Sequence, residues 1–410
     1  MTEWKPPRGT RDYLPEETKQ RNKLISKMRS VFESYGYGEV ITPAFESFEL
    51  LAKKSGPEIE QEIYSFEDKS GRKLGLRFDP TVPIARIVAS NPSLTKPIKY
   101  YYVTRMWRYE RPQAGRYREF WQAGLELIGS KTTDADVEAV QVASDLIKAA
   151  TDKEFVFKIN SRKVIEEIAE KADISEDKKE DAFRAIDKLS KIGEEEVKKE
   201  MTEKGIENEK AEKFFELIRK KEADITELEE IKQKLKNIGI ENVEIDLTIV
   251  RGLSYYTGFV FETFIKENQG IGSICSGGRY DNLIKLYGGE DLPAVGFGLG
   301  IDRLMDVIGY KEEYFPSIAY VANINKETKN QAIEIANQLR KAGISAETDL
   351  MNRSFRKQLD YVNAKNIPYC IIIGPEEIKN QEVTLKNMKT GQEKKIKTRN
   401  LIEEIKKVIQ

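Results

Sequence analysis

Histidine is missing from all 410 residues of this chain. Its absence removes Ser-His and Cys-His nucleophilic catalysis, imidazole general bases and His-ligated metals. Two cysteines, Cys275 and Cys370, are too few and too separated for a disulfide framework or a zinc cage. No segment is long and apolar enough to span a bilayer, and the first eleven residues are polar with no apolar signal core. The sequence therefore predicts a cytoplasmic protein without a membrane partner. A surplus of either charge is missing too: 68 Lys+Arg face 69 Asp+Glu, so no global field draws the chain to nucleic acid. RNA binding would need local basic patches. Any chemistry must come from Arg, Lys, carboxylates, Tyr and positioning.

What is present suits a soluble chain of two or three domains, with 39% hydrophobic and 33% charged residues. Over residues 1–160, helical and strand patterns alternate. Positions 18–35 predict an amphipathic helix, 39–45 a strand interrupted by Pro43, and 73–78, 98–108, 119–128 and 153–159 further strands. Val137, Val140, Ala143 and Ile147 recur at helical spacing, predicting a long helix over 133–150. Hairpin-length connections between strands predict an α+β domain: a mainly antiparallel sheet with flanking helices. Residues 161–241 are dense in Lys and Glu with few aromatics, and predict a helical insertion domain with solvated faces. Strand patterning returns from 243 to 264 and continues to Arg303, so 1–160 and 242–312 form one interrupted domain. Residues 317–410 alternate strand, helix, strand, helix, strand, predicting a small α/β domain. That domain holds 17 Lys+Arg against 11 Asp+Glu, an excess compatible with either solubility or RNA contact.

Four segments carry candidate chemistry. Val250 to Glu262 reads Val-Arg-Gly-Leu-Ser-Tyr-Tyr-Thr-Gly-Phe-Val-Phe-Glu. On a strand, Arg251 and Tyr255 share one face and Tyr256 takes the other unless Gly252 or Gly258 bends the chain. The segment alone suits a ligand wall or an edge strand with snorkelling side chains. In the second segment Arg105, Arg108, Arg111, Arg116 and Arg118 surround Pro112 and Gly115, as in a strand–loop–strand with a basic loop. Alternation then puts Gln122, Gly124 and Glu126 on one face. Arg108 can reach a phosphate bidentately, while Arg111, Gln113, Arg116 and Arg118 suit an RNA backbone or base edge. The third segment, Gly270 to Asp281, is glycine-rich and ends Gly277-Gly-Arg-Tyr-Asp281. The fourth, Ala294 to Met305, alternates small and apolar residues and leads into a helix with Arg303. It suits either a nucleotide floor or tight helix–sheet packing.

Together these segments resemble the class II aminoacyl-tRNA synthetases and, within them, the histidyl-tRNA synthetase family. Arg108 to Glu126 is similar to motif 2, Gly296 to Arg303 to motif 3, and the Pro43 strand after its helix to the dimer-forming motif 1. Arg251-Gly-Leu-x-Tyr-Tyr256 and Gly277 to Asp281 resemble the two signatures of the histidine enzymes. The resemblance covers nearly the whole chain, and the C-terminal domain resembles the family's anticodon-binding domain. It implies a homodimer that uses ATP with Mg²⁺ to activate L-histidine and load it onto histidine tRNA. It implies that Asp79, Thr81 and Gln122 hold the amino group of histidine. Glu126 and Tyr256 read the imidazole nitrogens, with Tyr255 lining the pocket. Arg108 and Arg303 grip the ATP phosphates, and Arg251 sits near the carboxylate and α-phosphate. Arg111, Gln113 and Arg116 are implied tRNA acceptor contacts; the metal ligands are unspecified. Buried Glu126 and Tyr256, left unpaired by an apolar analogue, should reject it roughly 10⁴-fold or more. Asp79-Pro-Thr81 departs from the family's common Glu-Gly-Thr, and Tyr109, Trp121 and Ser254 depart from its usual residues. The alternative is a non-catalytic paralogue, the regulatory subunit of ATP phosphoribosyltransferase, which usually lacks the C-terminal domain and the intact signatures.

Overall fold

The computed structural model describes residues 4–53, 57–112, 115–250, 256–309, 315 and 317–409. The chain forms two compact units, Met1–Tyr310 and Lys311–Gln410.

The first unit is built on an eight-stranded sheet. Its spatial order is Gly38–Glu39, Ile98–Trp107, Glu119–Ile128, Ala294–Gly300, Cys275–Arg279, Phe259–Ile265, Phe155–Ser161 and Val243–Ile245. The inner pairs are antiparallel; only the outermost pair at each edge is parallel. Alternation splits the sheet cleanly. Tyr101, Leu125, Phe297, Phe261 and Phe157 point to one face and are buried there. Helices Pro15–Ser34 and Thr133–Ala150 belong to the same core, and Phe32 stacks on Tyr101 with ring centroids 4.7 Å apart. Each such side chain contributes roughly 1.5–3 kcal/mol on full burial. The opposite face carries Tyr102, Gln122, Gly124, Glu126, Gly296 and Gly298, aligned by register: Tyr102 pairs with Gly124, Gly124 with Gly298, and Glu126 with Gly296.

The charged stretch after Ser161 is helical, running from Arg162–Lys171 to Thr226–Asn237. Its buried Ile165, Phe183, Phe214 and Leu228 join the same apolar cluster as Phe157 and Phe259 of the sheet. Most charges fall on outer faces, where pairs such as Lys220 and Glu216 contribute little; Lys179 and Lys198 are buried against glutamates.

Two expected strands divide. The span 39–45 is not one strand: Gly38–Glu39 edges the large sheet, while Phe45–Ser47 joins a small sheet with Lys73–Leu76 and Ser65–Glu67. Pro43 lacks an N–H for a ladder, and buried Arg77 ties off the carbonyls of Thr42 and Pro43 at 2.5 and 2.8 Å. The span 243–264 also breaks. After Ile245 the Asp246 carboxylate accepts from Thr248 N at 3.0 Å, turning the chain, and among the described residues the next strand is Phe259–Ile265.

The second unit is a five-stranded sheet in the order Ala346–Thr348, Ala319–Asn323, Tyr369–Ile373, Glu382–Asn387, Glu393–Lys397. The first three are parallel and the last two form an antiparallel hairpin. Helices Lys329–Lys341 and Leu401–Ile409 pack on one face through Leu339 and Ile405; Phe355–Ala364 packs on the other through Val362. The predicted alternation through 373 is present; the hairpin and the last helix were not anticipated.

Candidate active site

The polar face of the large sheet has a floor of glycine. A methyl group at Gly296 would lie 2.1 Å from Glu126 Oε2, and one at Gly298 would lie 1.7 Å from Gln122 Nε2. Only glycine lets these two side chains lie flat across the neighbouring strand. Glu126 is 2% exposed. Its Oε1 accepts from Thr81 Oγ1 at 2.7 Å and its Oε2 accepts from the Tyr280 hydroxyl. Thr81 opens helix Thr81–Ala89, whose second residue Val82 donates its N–H to buried Asp79 at 3.2 Å. Gln122 donates through Nε2 to the Tyr102 hydroxyl at 3.1 Å. Burial, with Glu126 and Asp79 nearby, pushes that hydroxyl well above the usual tyrosine range, so it stays protonated.

The structure thus brings Asp79, Thr81, Gln122 and Glu126 together. Tyr256 packs beside them: it joins the apolar cluster of Tyr102 and Tyr280, and a methyl on Gly278 would lie 2.9 Å from its Cδ1. Tyr256 precedes the strand that starts at Phe259, beyond a bend at Gly258, one of the two positions where the sequence allows a bend; the shared face expected of Arg251 and Tyr255 falls on residues outside those described. Arg251, Tyr255 and Gln113 lie outside the described residues.

The arginines stand at one end of the floor, where strands Ile98–Trp107 and Ala294–Gly300 finish on either side of Glu119–Ile128. Arg108 follows strand Ile98–Trp107, donates through Nε to Phe78 O at 3.1 Å and leaves its side chain 34% exposed. Its Nη1 lies 3.7 Å from Glu110, which also lies 3.6 Å from exposed Arg116. Arg303, in helix Ile301–Ile308, holds Gly115 O at 3.3 Å and Ser273 O. Arg111 is exposed on the hairpin loop.

Arg279 turns away from this site. It meets buried Asp136 through Nε and Nη2 at 3.0 and 2.9 Å and also donates to Ser130 O and Thr132 O, latching strand Cys275–Arg279 to the start of helix Thr133–Ala150. Two contributors carried no sequence signal of their role: Tyr102 reads as one apolar strand residue among several, and Tyr280 sits in the glycine-rich motif without a partner in view. Among the described residues no cluster of three acidic or thiol side chains forms a metal cage, and no helix is long and apolar enough to cross a membrane.

Comparison with known proteins agrees with this geometry. The histidyl-tRNA synthetase family model matches residues 9–304, and an anticodon binding domain model matches 319–408. The Histidine--tRNA ligase of Methanocaldococcus jannaschii is 43% identical over 95% of this chain and 96% of its own length. That of Thermococcus kodakarensis is 39% identical over 98% of each. The crystal structure of histidyl-tRNA synthetase from Nostoc sp. PCC 7120 superposes with a TM-score of 0.83 at 30% identity, covering 99% of this chain and 100% of that one. With the floor, the paired carboxylate and both arginine-bearing arms in family order, the chain belongs to the histidyl-tRNA synthetases.

Proposed function

We propose that the glycine-floored cleft is where this ligase activates L-histidine with ATP to histidyl-adenylate, releasing pyrophosphate, before passing histidine to the 3′ end of its tRNA. The observation that carries this reading is Glu126: a carboxylate 2% exposed, over glycine, between two hydroxyl donors, with both arginine-bearing arms at one end of its floor. Such a carboxylate suits a partner with N–H donors and disfavours an apolar one. Glu126 and Tyr256 would take the two imidazole nitrogens, with Tyr255 beside them; Asp79, Thr81 and Gln122 would take the amino group.

The chemistry needs no side-chain base. A histidine carboxylate oxygen, already ionised, attacks the α-phosphorus; the bond to the bridging oxygen breaks and pyrophosphate leaves. What the protein contributes is alignment and neutralisation of the growing negative charge, assigned to Arg108, Arg303 and Arg251. In the second step a ribose hydroxyl of the tRNA attacks the carbonyl and AMP departs. ATP is a substrate. Mg²⁺ would arrive on its phosphates, as suits a metal that keeps few protein ligands. Register puts Glu262 on the polar face beside Ser276, so it is the carboxylate best disposed to share the ion. Arg111, Gln113 and Arg116 would meet the tRNA acceptor end. Residues 1–160 with 242–312 would form the catalytic domain, 161–241 an insertion and 317–410 the anticodon-reading domain. Exposed Ile41, at 87%, and Phe45 near Pro43 support a second copy covering this edge. The intact Gly277 to Asp281 signature and the C-terminal domain disfavour the regulatory paralogue.

ATP–pyrophosphate exchange across the twenty amino acids tests the reading. Exchange dependent on histidine alone is expected; none, or exchange with another amino acid, overturns it.

A further inference from the structure

We infer that residues 7–13 act as a positioning strap that fixes the spacing between the Arg108 and Arg303 arms, and hence the grip on ATP. The inference rests on assigning those arginines to ATP. The strap has no regular structure; a turn closes it, Thr10 donating from N and Oγ1 to Pro7 O at 3.0 and 2.8 Å. At one end it lies on the hairpin. Gly9, at φ +84°, accepts from Arg118 N at 2.7 Å, and a methyl group there would sit 2.7 Å from Arg118 Cγ and 2.9 Å from Pro112 Cγ. Arg118 O in turn accepts from Arg108 N at 2.9 Å, so the strap is one backbone pair from Arg108.

At the other end it meets the helix of Arg303. The Tyr13 hydroxyl donates to Asp302 Oδ1 at 2.5 Å, and Arg11 Nη2 lies 3.9 Å from the same oxygen. Burial and the adjacent Asp302 raise the Tyr13 hydroxyl far above its ordinary range, so it remains a donor. Asp302 is itself buried, and its other oxygen accepts from Trp121 N at 2.5 Å, next to Gln122. Arg11 also stacks over Tyr13 and Tyr117, at 4.5 and 5.0 Å from their ring centres.

Positioning explains this segment better than stability does. The chain leading into it, Trp4 to Pro6, and its own Pro7, Arg8 and Asp12 are exposed and bury little apolar area, whereas its polar contacts fall on the roots of the two arms. Displacements near 1 Å at reacting groups cost up to ~10² in rate.

Tyr13→Phe, in the full chain, keeps the ring and removes the contact to Asp302. Histidine-dependent pyrophosphate exchange should show the KM for ATP raised about tenfold and the KM for histidine within about twofold, with the thermal midpoint lowered by only a few degrees, roughly the loss of one donor to buried Asp302. Gly9→Ala, pressing on Arg118 from the other end, should give the same split, and the double variant should fall short of the product of the two effects. An unchanged ATP KM in Tyr13→Phe, or both KM values rising with a lowered midpoint, overturns the strap. A wild-type chain without exchange overturns instead the ATP assignment beneath it.

Discussion

Replacing Gly296 with alanine tests the glycine floor directly. The new methyl would lie 2.1 Å from Glu126 Oε2, 2.6 Å from Leu125 O and 2.9 Å from Glu126 Cδ. Ordinary contacts begin near 3.4 Å, so relief needs a movement of more than 1 Å. Leu125 O is locked in the ladder to Phe297, which leaves the Glu126 carboxylate to swing off Tyr280. A displacement of that size at a group that orients substrate corresponds to about a hundredfold loss, or ~2.7 kcal/mol. Overpacking adds ~1–3 kcal/mol of destabilisation. Gly277→Ala is the control. Its methyl points to the opposite, apolar face and presses on backbone, Gly296 O at 2.2 Å and Phe297 Cβ at 2.4 Å, so it should cost at least as much stability while leaving the Glu126 carboxylate uncrowded. The assay is pyrophosphate exchange with histidine varied at saturating ATP, alongside thermal unfolding. If Gly296→Ala folds and keeps a wild-type kcat/KM for histidine, the floor argument is wrong.

Other outcomes follow from the same geometry. Glu126→Ala and Arg251→Ala should each abolish most adenylation, by ~10²-fold or more, while circular dichroism stays native; near-normal exchange in either would refute the assigned roles. Tyr280→Phe removes one donor from a buried carboxylate and should destabilise by about 1–3 kcal/mol in urea unfolding, with histidine binding weakened as well. Asp136 bears on pH. Burial, opposed by Arg279, raises its carboxyl from 3.8 to about 6. Between those values the native state keeps a proton the unfolded chain has lost. The site's contribution is therefore full below 3.8 and is lost as pH rises through about 6, by at most ~3 kcal/mol. The stability margin of wild type over Asp136→Asn should be larger at pH 5 than at pH 7.5. The reverse order would mean that the ionised pair is the stabilising state.

Much of this molecule was legible as sequence. Strand Glu119–Ile128 and helix Thr133–Ala150 match their predicted bounds because alternation and helical spacing were unbroken there. Register then delivered Gln122 and Glu126 to one face, as expected. The failures share a cause. Where a side chain caps or turns the backbone, periodicity says nothing: Arg77 at Thr42 and Asp246 at Thr248 each end a strand that apolar pattern would have continued. The hairpin strand Glu393–Lys397 is nearly all charged, with only Ile396 buried, so it carried no apolar period. Arg279 and Tyr280 are neighbours in one motif, yet one latches a helix on the apolar face and the other meets Glu126. Only the pairing of strands separates those fates.

Each Glu126 oxygen already accepts a hydrogen bond from within the protein, from Thr81 and from Tyr280, and keeps room for a further donor. An imidazole N–H then adds to a set of donors that is already in place. An apolar analogue need not strand the carboxylate, which can fall back on its own hydroxyls. Discrimination at this one residue becomes the gap between two satisfied states, about 1–3 kcal/mol, or a factor nearer a hundred than the 10⁴ expected of a carboxylate with no alternative. The rest of the enzyme's selectivity has to be spread over Tyr256 and the amino-group contacts.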